Sequence, residues 1–234
     1  IDRQIEQMDA ACRFVQAKRR SKKRSYLCFD EWNVWYKNMQ MDGEGKFAPH
    51  LIEEVYNLED ALVVAGFLHS FVRHADVVKI ANLAQIVNVI APVMTKGDDV
   101  LVQSIFHPFE MFSKRHNGVS LRCSADGPGY EGKTNGFVYY VDSSAILAGD
   151  RLHVFLTNRS LDEAAEVRIA LTGREIVSLE SAEALTGPGP KSANSFEDKT
   201  LVIAKPFEAV DVVDGQAYCQ LPPLSFAAIT LKLS

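Results

Sequence analysis

The sequence predicts an α/β segment followed by an all-β segment. Up to about residue 116, helical periodicities alternate with short apolar, strand-like runs. Beyond it, short apolar runs are separated by Gly, Pro, Asn and Asp, without a helix of useful length. Helices also separate successive strands in the first part, and that order implies parallel strands, because a parallel pair needs a long crossover. A chain of 234 residues has room for one large or two modest domains.

The elements follow in order. Ile5, Met8, Cys12 and Val15 recur at helical spacing with charges between them, predicting a helix over 3–19. The chain opens inside this rhythm and without Met, so a further part of the protein is expected upstream. The basic run KRRSKKR at 18–24 reads as a solvated helix end whose cations complement the negative pole of the helix dipole. Tyr26-Leu27-Cys28-Phe29 is a strand that delivers Asp30 and Glu31 into an aromatic cluster, followed by a polar connection over 37–50. At 57–60, NLED is a helix start in which Asn57 caps and Asp60 completes an Asp version of the capping box. Leu62, Ala65, Leu68 and Phe71 then share one helical face. VVKIAN at 77–82 is a second strand, followed by LAQIVNVIAPVMT. FHPFEMFSKRHNG at 106–118 is a short helix with Pro108 in its first turn and Gly118 past its end. On these patterns alone, a Rossmann-type sheet and a barrel remain equally open.

In the second part, strands are expected at 119–124, 136–141, 151–157, 165–171, 175–180, 200–204 and 224–233. Their near-regular spacing and partial alternation point to an antiparallel sandwich. Asp126-Gly127-Pro128-Gly129 is turn chemistry, and LTGPGPKSANSFEDKT at 185–200 reads as an exposed hairpin connection.

Composition excludes several functions. Hydrophobic content of 47% is that of a globular chain, and no apolar run approaches the roughly 20 residues that span a bilayer. The net charge of −5 gives no general attraction to nucleic acid or acidic membranes. Cys12, Cys28, Cys123 and Cys219 form no CxxC pair and read as buried free thiols of a reducing compartment. The six histidines include no HExxH, and His69 and His74 read as ordinary helix residues, so no metal site is expected.

The chemistry concentrates at Asp30-Glu31. In a regular strand, adjacent side chains point to opposite faces, so the two acids are expected to differ in role. A carboxylate at the C-terminal end of a barrel strand, among Trp32, Trp35 and Tyr36, suits a sugar site. Apolar sugar faces lie on aromatic rings, while the carboxylate attacks or stabilises an oxocarbenium-like carbon. The plainer reading is a turn cap or a pairing with a nearby Arg or Lys.

FDEWNVWY closely resembles the nucleophile segment of glycoside hydrolase family 51, the intracellular α-L-arabinofuranosidases. LEDALVVAGFLHSFVRHADVVKIANLAQIVNVIAPVMT at 58–95 resembles that family's helix, final barrel strand and following loop, and the all-β tail resembles its C-terminal sandwich. The resemblance implies that residues 1–116 are the C-terminal part of a (β/α)8 TIM barrel and 117–234 an antiparallel, jelly-roll-like β-sandwich. It implies Glu31 as the nucleophile of a retaining hydrolase, Asp30 as a supporting acid, and Trp35 and Gln85 as residues that bind arabinose. It also implies a cytoplasmic homo-oligomer, often hexameric, without a cofactor, acting on arabinan- and arabinoxylan-derived oligosaccharides. One departure stands out. The family's acid/base Glu lies in an Asn-Glu pair, no such pair occurs here, and Asp42 and Glu44 in MDGEGK do not match it. The acid/base half of the site is therefore expected in an N-terminal part of the same enzyme, and this segment alone is expected to be inactive. An endo-β-glucanase on the same scaffold, or a non-catalytic carbohydrate-binding or assembly piece, are the alternatives.

Overall fold

A computed structural model describes residues 1–36, 47, 49–134 and 136–234. Most of the polar connection, including Asp42 and Glu44, lies outside the described residues.

Helix α1 spans Asp2–Lys18, strand β1 Leu27–Trp32, helix α2 Leu58–Arg73 and strand β2 Val78–Leu83. β1 and β2 pair in parallel, with α2 as the crossover between them. Of the predicted α1 face, Ile5 is buried and Cys12 half-buried, while Met8 and Val15 are exposed. The basic run is exposed over 18–23, and Arg24 pairs with Asp9 at 2.6 Å.

Helix α2 starts where the sequence places it. Asn57 Oδ1 accepts the Asp60 N–H at 3.2 Å, and Asp60 Oδ2 accepts the Asn57 N–H at 2.8 Å. Such a cap contributes about 1 kcal/mol. The two N–H groups between, of Leu58 and Glu59, donate to the carbonyls of Ser192 and Pro190. The 185–200 segment does connect an antiparallel pair, Ile176–Thr186 with Ile203–Pro206, but it is not a free exposed loop: its early residues continue the first strand and its middle folds over the positive end of α2.

After β2, strands β3 (Val93–Lys96) and β4 (Asp99–Val102) form a hairpin, and helix α3 spans Phe106–Ser113. α3 ends at Lys114 in right-handed conformation, so Gly118 is not its cap. Gly118 is needed for close approach instead, since a Cβ there would stand 2.4 Å from the Leu147 carbonyl oxygen.

Among the described residues, eleven further strands follow: β5 (Val119–Leu121), β6 (Gly129–Gly132), β7 (Gly136–Tyr139), β8 (Val141–Ala148), β9 (Arg151–Asn158), β10 (Ala165–Ile169), β11 (Ile176–Thr186), β12 (Ile203–Pro206), β13 (Val210–Val213), β14 (Gln216–Leu221) and β15 (Ser225–Leu233). Six form one antiparallel sheet in the order β12-β11-β15-β9-β8-β5, and three form a second in the order β10-β14-β13. The two sheets enclose a core that includes Leu152, Val154, Leu156, Ala217, Leu221, Ile229 and Leu231. α2 and α3 cover the opposite face of the larger sheet through Leu58, Ala61, Leu62, Ala65, Met111 and Phe112 against Phe155, Leu185 and Phe226. The Phe112 and Phe155 rings stack with centroids 3.9 Å apart. Central strands β9 and β15 are thus covered on both faces, which is why they read as apolar runs with only partial alternation. The other face of α2 packs Val64, Phe67 and Phe71 against β1, β2 and α1. All four cysteines are free; Cys219 is buried in the core, Cys12 and Cys123 are half-buried and pack against hydrophobic clusters, and Cys28 is exposed, against the expectation that all four are buried.

His69 lies on the sheet-facing side of α2, fully buried, with Nδ1 2.8 Å from Ser144 Oγ and Nε2 3.0 Å from Thr157 Oγ1. Burial pushes its imidazole down to about 4. The unfolded chain takes up a proton near pH 6.5 that the folded chain refuses, so the stabilising difference is complete above that pH and is lost as pH falls toward 4. Linkage gives a loss of about 2 kcal/mol between about pH 7 and about pH 5. Urea denaturation at both pH values is expected to show this loss for the native chain and a drop smaller by about that amount for His69→Gln. Equal drops for both proteins would remove His69 as the cause.

Candidate functional site

Two compensating register shifts shape β1. Leu27 pairs with Val78 and Cys28 with Ile80, so β2 carries one extra residue there. Phe29 pairs with Ala81 and Trp32 with Leu83, so β1 carries one extra residue between them. That bulge lets Phe29 and Trp32, three residues apart, enter the same core against α2. Asp30 and Glu31 share the bulge, and both are exposed. The strict alternation that the sequence reading assumed for these two residues is interrupted there by the extra residue.

Past the bulge the aromatics divide. Trp32 is a core residue and not a pocket wall: it is 7% exposed and stacks on Phe67 and Phe109, with centroids at 5.1 and 5.5 Å. Trp35 is 57% exposed. Tyr36 is half-buried, stacks with Tyr56, donates its hydroxyl hydrogen to Asp60 and accepts from Asn57 Nδ2 at 3.2 Å. Burial, with the Asp60 carboxylate alongside, pushes the Tyr36 phenol above its usual range. Burial also raises Asp60, against the hydrogen bonds from Tyr36 and Asn57. Tyr36 and Asp60 thus anchor the segment after β1 to the start of α2. The sequence signalled Asp60 only as a capping residue.

Gln85 follows β2 and is exposed. Its backbone N–H donates to the Ile90 carbonyl at 3.3 Å, and the preceding Ala84 N–H donates to the Trp32 carbonyl at 3.0 Å. The end of β1 and the loop that carries Gln85 are thereby adjacent, which brings the Glu31 segment and the Gln85 segment to one end of the parallel pair. Gln103 supports this loop from beneath. Its buried side chain donates to the carbonyls of Glu54 and Ala91 and accepts the Tyr56 N–H. Neither Gln103 nor Asn33, which joins the two segments directly, stood out in the sequence; an amide inside an aromatic run was the available signal.

Two concavities lie away from these residues. One of about 670 Å³ opens between β10 and the segment around Arg122–Pro128, and one of about 360 Å³ lies beside β2, α2 and α3. Among the described residues, no group of three or more His, Cys, Asp or Glu could hold a metal ion. Nor, among them, is any helix long and apolar enough to cross a membrane.

A family model described as "Alpha-L-arabinofuranosidase C-terminal domain" matches residues 30–225. The chain is 36% identical over 231 residues to an intracellular exo-α-(1→5)-L-arabinofuranosidase of Streptomyces lividans, which covers 96% of this chain and 35% of that protein. It is 36% identical over 238 residues to intracellular exo-α-(1→5)-L-arabinofuranosidase 1 of Bacillus subtilis, covering 99% of this chain and 47% of that one. A solved family 51 α-L-arabinofuranosidase from Bifidobacterium longum superposes with a TM-score of 0.90 at 25% identity, over 98% of this chain and 46% of its own. The chain spans about a third to a half of the length of the curated relatives it matches.

Proposed function

The chain belongs to the family of α-L-arabinofuranosidase C-terminal domains, and from that premise we propose that it is part of a retaining glycoside hydrolase. The enzyme releases terminal α-L-arabinofuranosyl residues from arabinan and arabinoxylan oligosaccharides. Residues 1–116 belong to the C-terminal part of its (β/α)8 barrel, and 117–234 form its β-sandwich. The observation that carries the reading is the end of β1, where a bulge leaves Glu31 exposed beside the loop that bears Gln85.

In this reading the Glu31 carboxylate attacks the anomeric carbon and forms a covalent arabinosyl-enzyme. An acid from the N-terminal part of the protein protonates the departing oxygen, then takes a proton from the water that releases arabinose. Asp30, on the same bulge, is a supporting acid whose negative charge favours the positive charge that develops at the anomeric carbon. Trp35 offers a ring face to the furanose, and Gln85 hydrogen-bonds its hydroxyls. No step calls for a metal or cofactor. The Streptomyces and Bacillus relatives are named as intracellular enzymes, and a cytoplasmic homo-oligomer, a hexamer, is the form proposed here.

Proton NMR of the full-length protein with an aryl α-L-arabinofuranoside checks the reaction. The first product is expected to be the α-anomer of free arabinofuranose, which later mutarotates. Initial β-anomer would overturn retention. No arabinose, with shortened chains from a β-glucan, would overturn the substrate class.

A further inference from the structure

Asn33 lies two residues beyond Glu31, half-buried among aromatic neighbours, and its amide is committed to backbone in three directions. Nδ2 donates to the carbonyl oxygen of Ala84 at 2.7 Å and to that of Ile90 at 2.5 Å. Oδ1 accepts the Val34 N–H at 2.8 Å, which fixes the direction in which the two donors point. The donors thus hold both ends of the loop 84–90, and Gln85 is the first residue inside that loop.

The loop needs such a hold. Asn88 and Ile90 have φ of 63° and 41°, and Ile52, whose carbonyl accepts the Ile90 N–H at 2.9 Å, has φ of 50°. A β-branched residue rarely takes the left-handed region, and such a conformation persists where the surroundings over-determine it. The Ile90 carbonyl receives both the Asn33 amide and the Gln85 N–H, so the strained residue and the proposed ligand meet at one oxygen. A side chain serving only its own turn would not reach partners 51 and 57 positions away in the sequence.

We propose that Asn33 is a positioning residue of the glycosidase site, clamping the loop 84–90 so that Gln85 stands where it meets the sugar that Glu31 attacks. The inference rests on the assignment of Glu31 and Gln85 given above. It predicts that Asn33 matters to the reaction through Gln85, which makes the two residues energetically inseparable.

A kinetic double-mutant cycle in the full-length protein tests this with an aryl α-L-arabinofuranoside as the probe. Asn33→Ala is expected to lower kcat/KM about 100-fold, the scale of a misplacement near 1 Å. Asn33→Asp keeps the acceptor for Val34 and removes both donors, so it should fall equally. In a Gln85→Ala background, Asn33→Ala is expected to cost no more than a few-fold. Equal losses with and without Gln85 would overturn the clamp and leave Asn33 a general support. Failure of both Asn33 variants to fold, judged by circular dichroism, would overturn it too, by making Asn33 a folding residue. An inactive wild-type protein would instead sink the arabinofuranosidase reading, so the two failures are distinct.

Discussion

Glu31→Ala in the full-length protein is expected to lower kcat on an aryl α-L-arabinofuranoside by on the order of 10⁴-fold or more, the scale seen when a nucleophile is removed. The size follows from the mechanism. Without the carboxylate there is no covalent intermediate, and water must attack a carbon it reaches poorly. The fold gives no reason for a stability change, because Glu31 is exposed at a bulge while Phe29 and Trp32 carry the packing. Thermal unfolding of the variant should therefore match wild type within a few degrees, near the limit set by surface substitutions. Azide adds a second readout: a small anion can occupy the vacated space and attack, giving the inverted β-arabinofuranosyl azide. Asp30→Asn serves as the internal contrast, since Asp30 shares the bulge and its exposure. A collapse in Asp30→Asn with Glu31→Ala near wild type would exchange the two roles.

The second large effect concerns the chain by itself. Residues 1–234 alone are expected to show no measurable hydrolysis of the same substrate. Retention requires a second carboxyl group roughly 5–5.5 Å from the nucleophile to protonate the leaving oxygen. The acid adjoining Glu31 in sequence is Asp30, on the same bulge, and in the proposed mechanism it is a supporting acid and not the proton donor. A site without that second carboxyl group lacks general acid catalysis, worth about 10²–10⁴-fold. Detectable turnover by the isolated chain, abolished by Glu31→Ala, would show that an acid within it completes the chemistry.

Local rules made part of this fold legible and non-local pairing hid the rest. The Asn57–Asp60 box was readable because both partners lie within four residues. The β13–β14 hairpin was missed: no strand was expected between 204 and 224, although Asp214-Gly215, whose φ values are 50° and 74°, is the two-residue turn pair that such hairpins favour. By contrast, the β1 bulge exists only through register with β2, some 50 residues on, and no window of the sequence contains both. The same holds for the 185–200 segment, whose Gly, Pro and Ser announce irregular backbone but not that two of its carbonyls cap α2. For the candidate site, the residue types of the DEWNVWY stretch and Gln85 were legible. The division between them was not: Trp32 belongs to the core, and Asn33 works through carbonyls of a distant loop.

Helix α2 serves two neighbours at once, the six-stranded sheet through Leu58, Leu62 and Ala65 and the β1–β2 pair through Val64 and Phe71. For anyone recombining modules, the sandwich is therefore not a detachable unit. A crossover after residue 116 would keep α2 but replace Phe155 and Phe226 on its outer flank, setting that apolar face, behind the strand that carries Glu31, against side chains it was not matched to. Exchange between relatives should succeed only when helix and sandwich travel together.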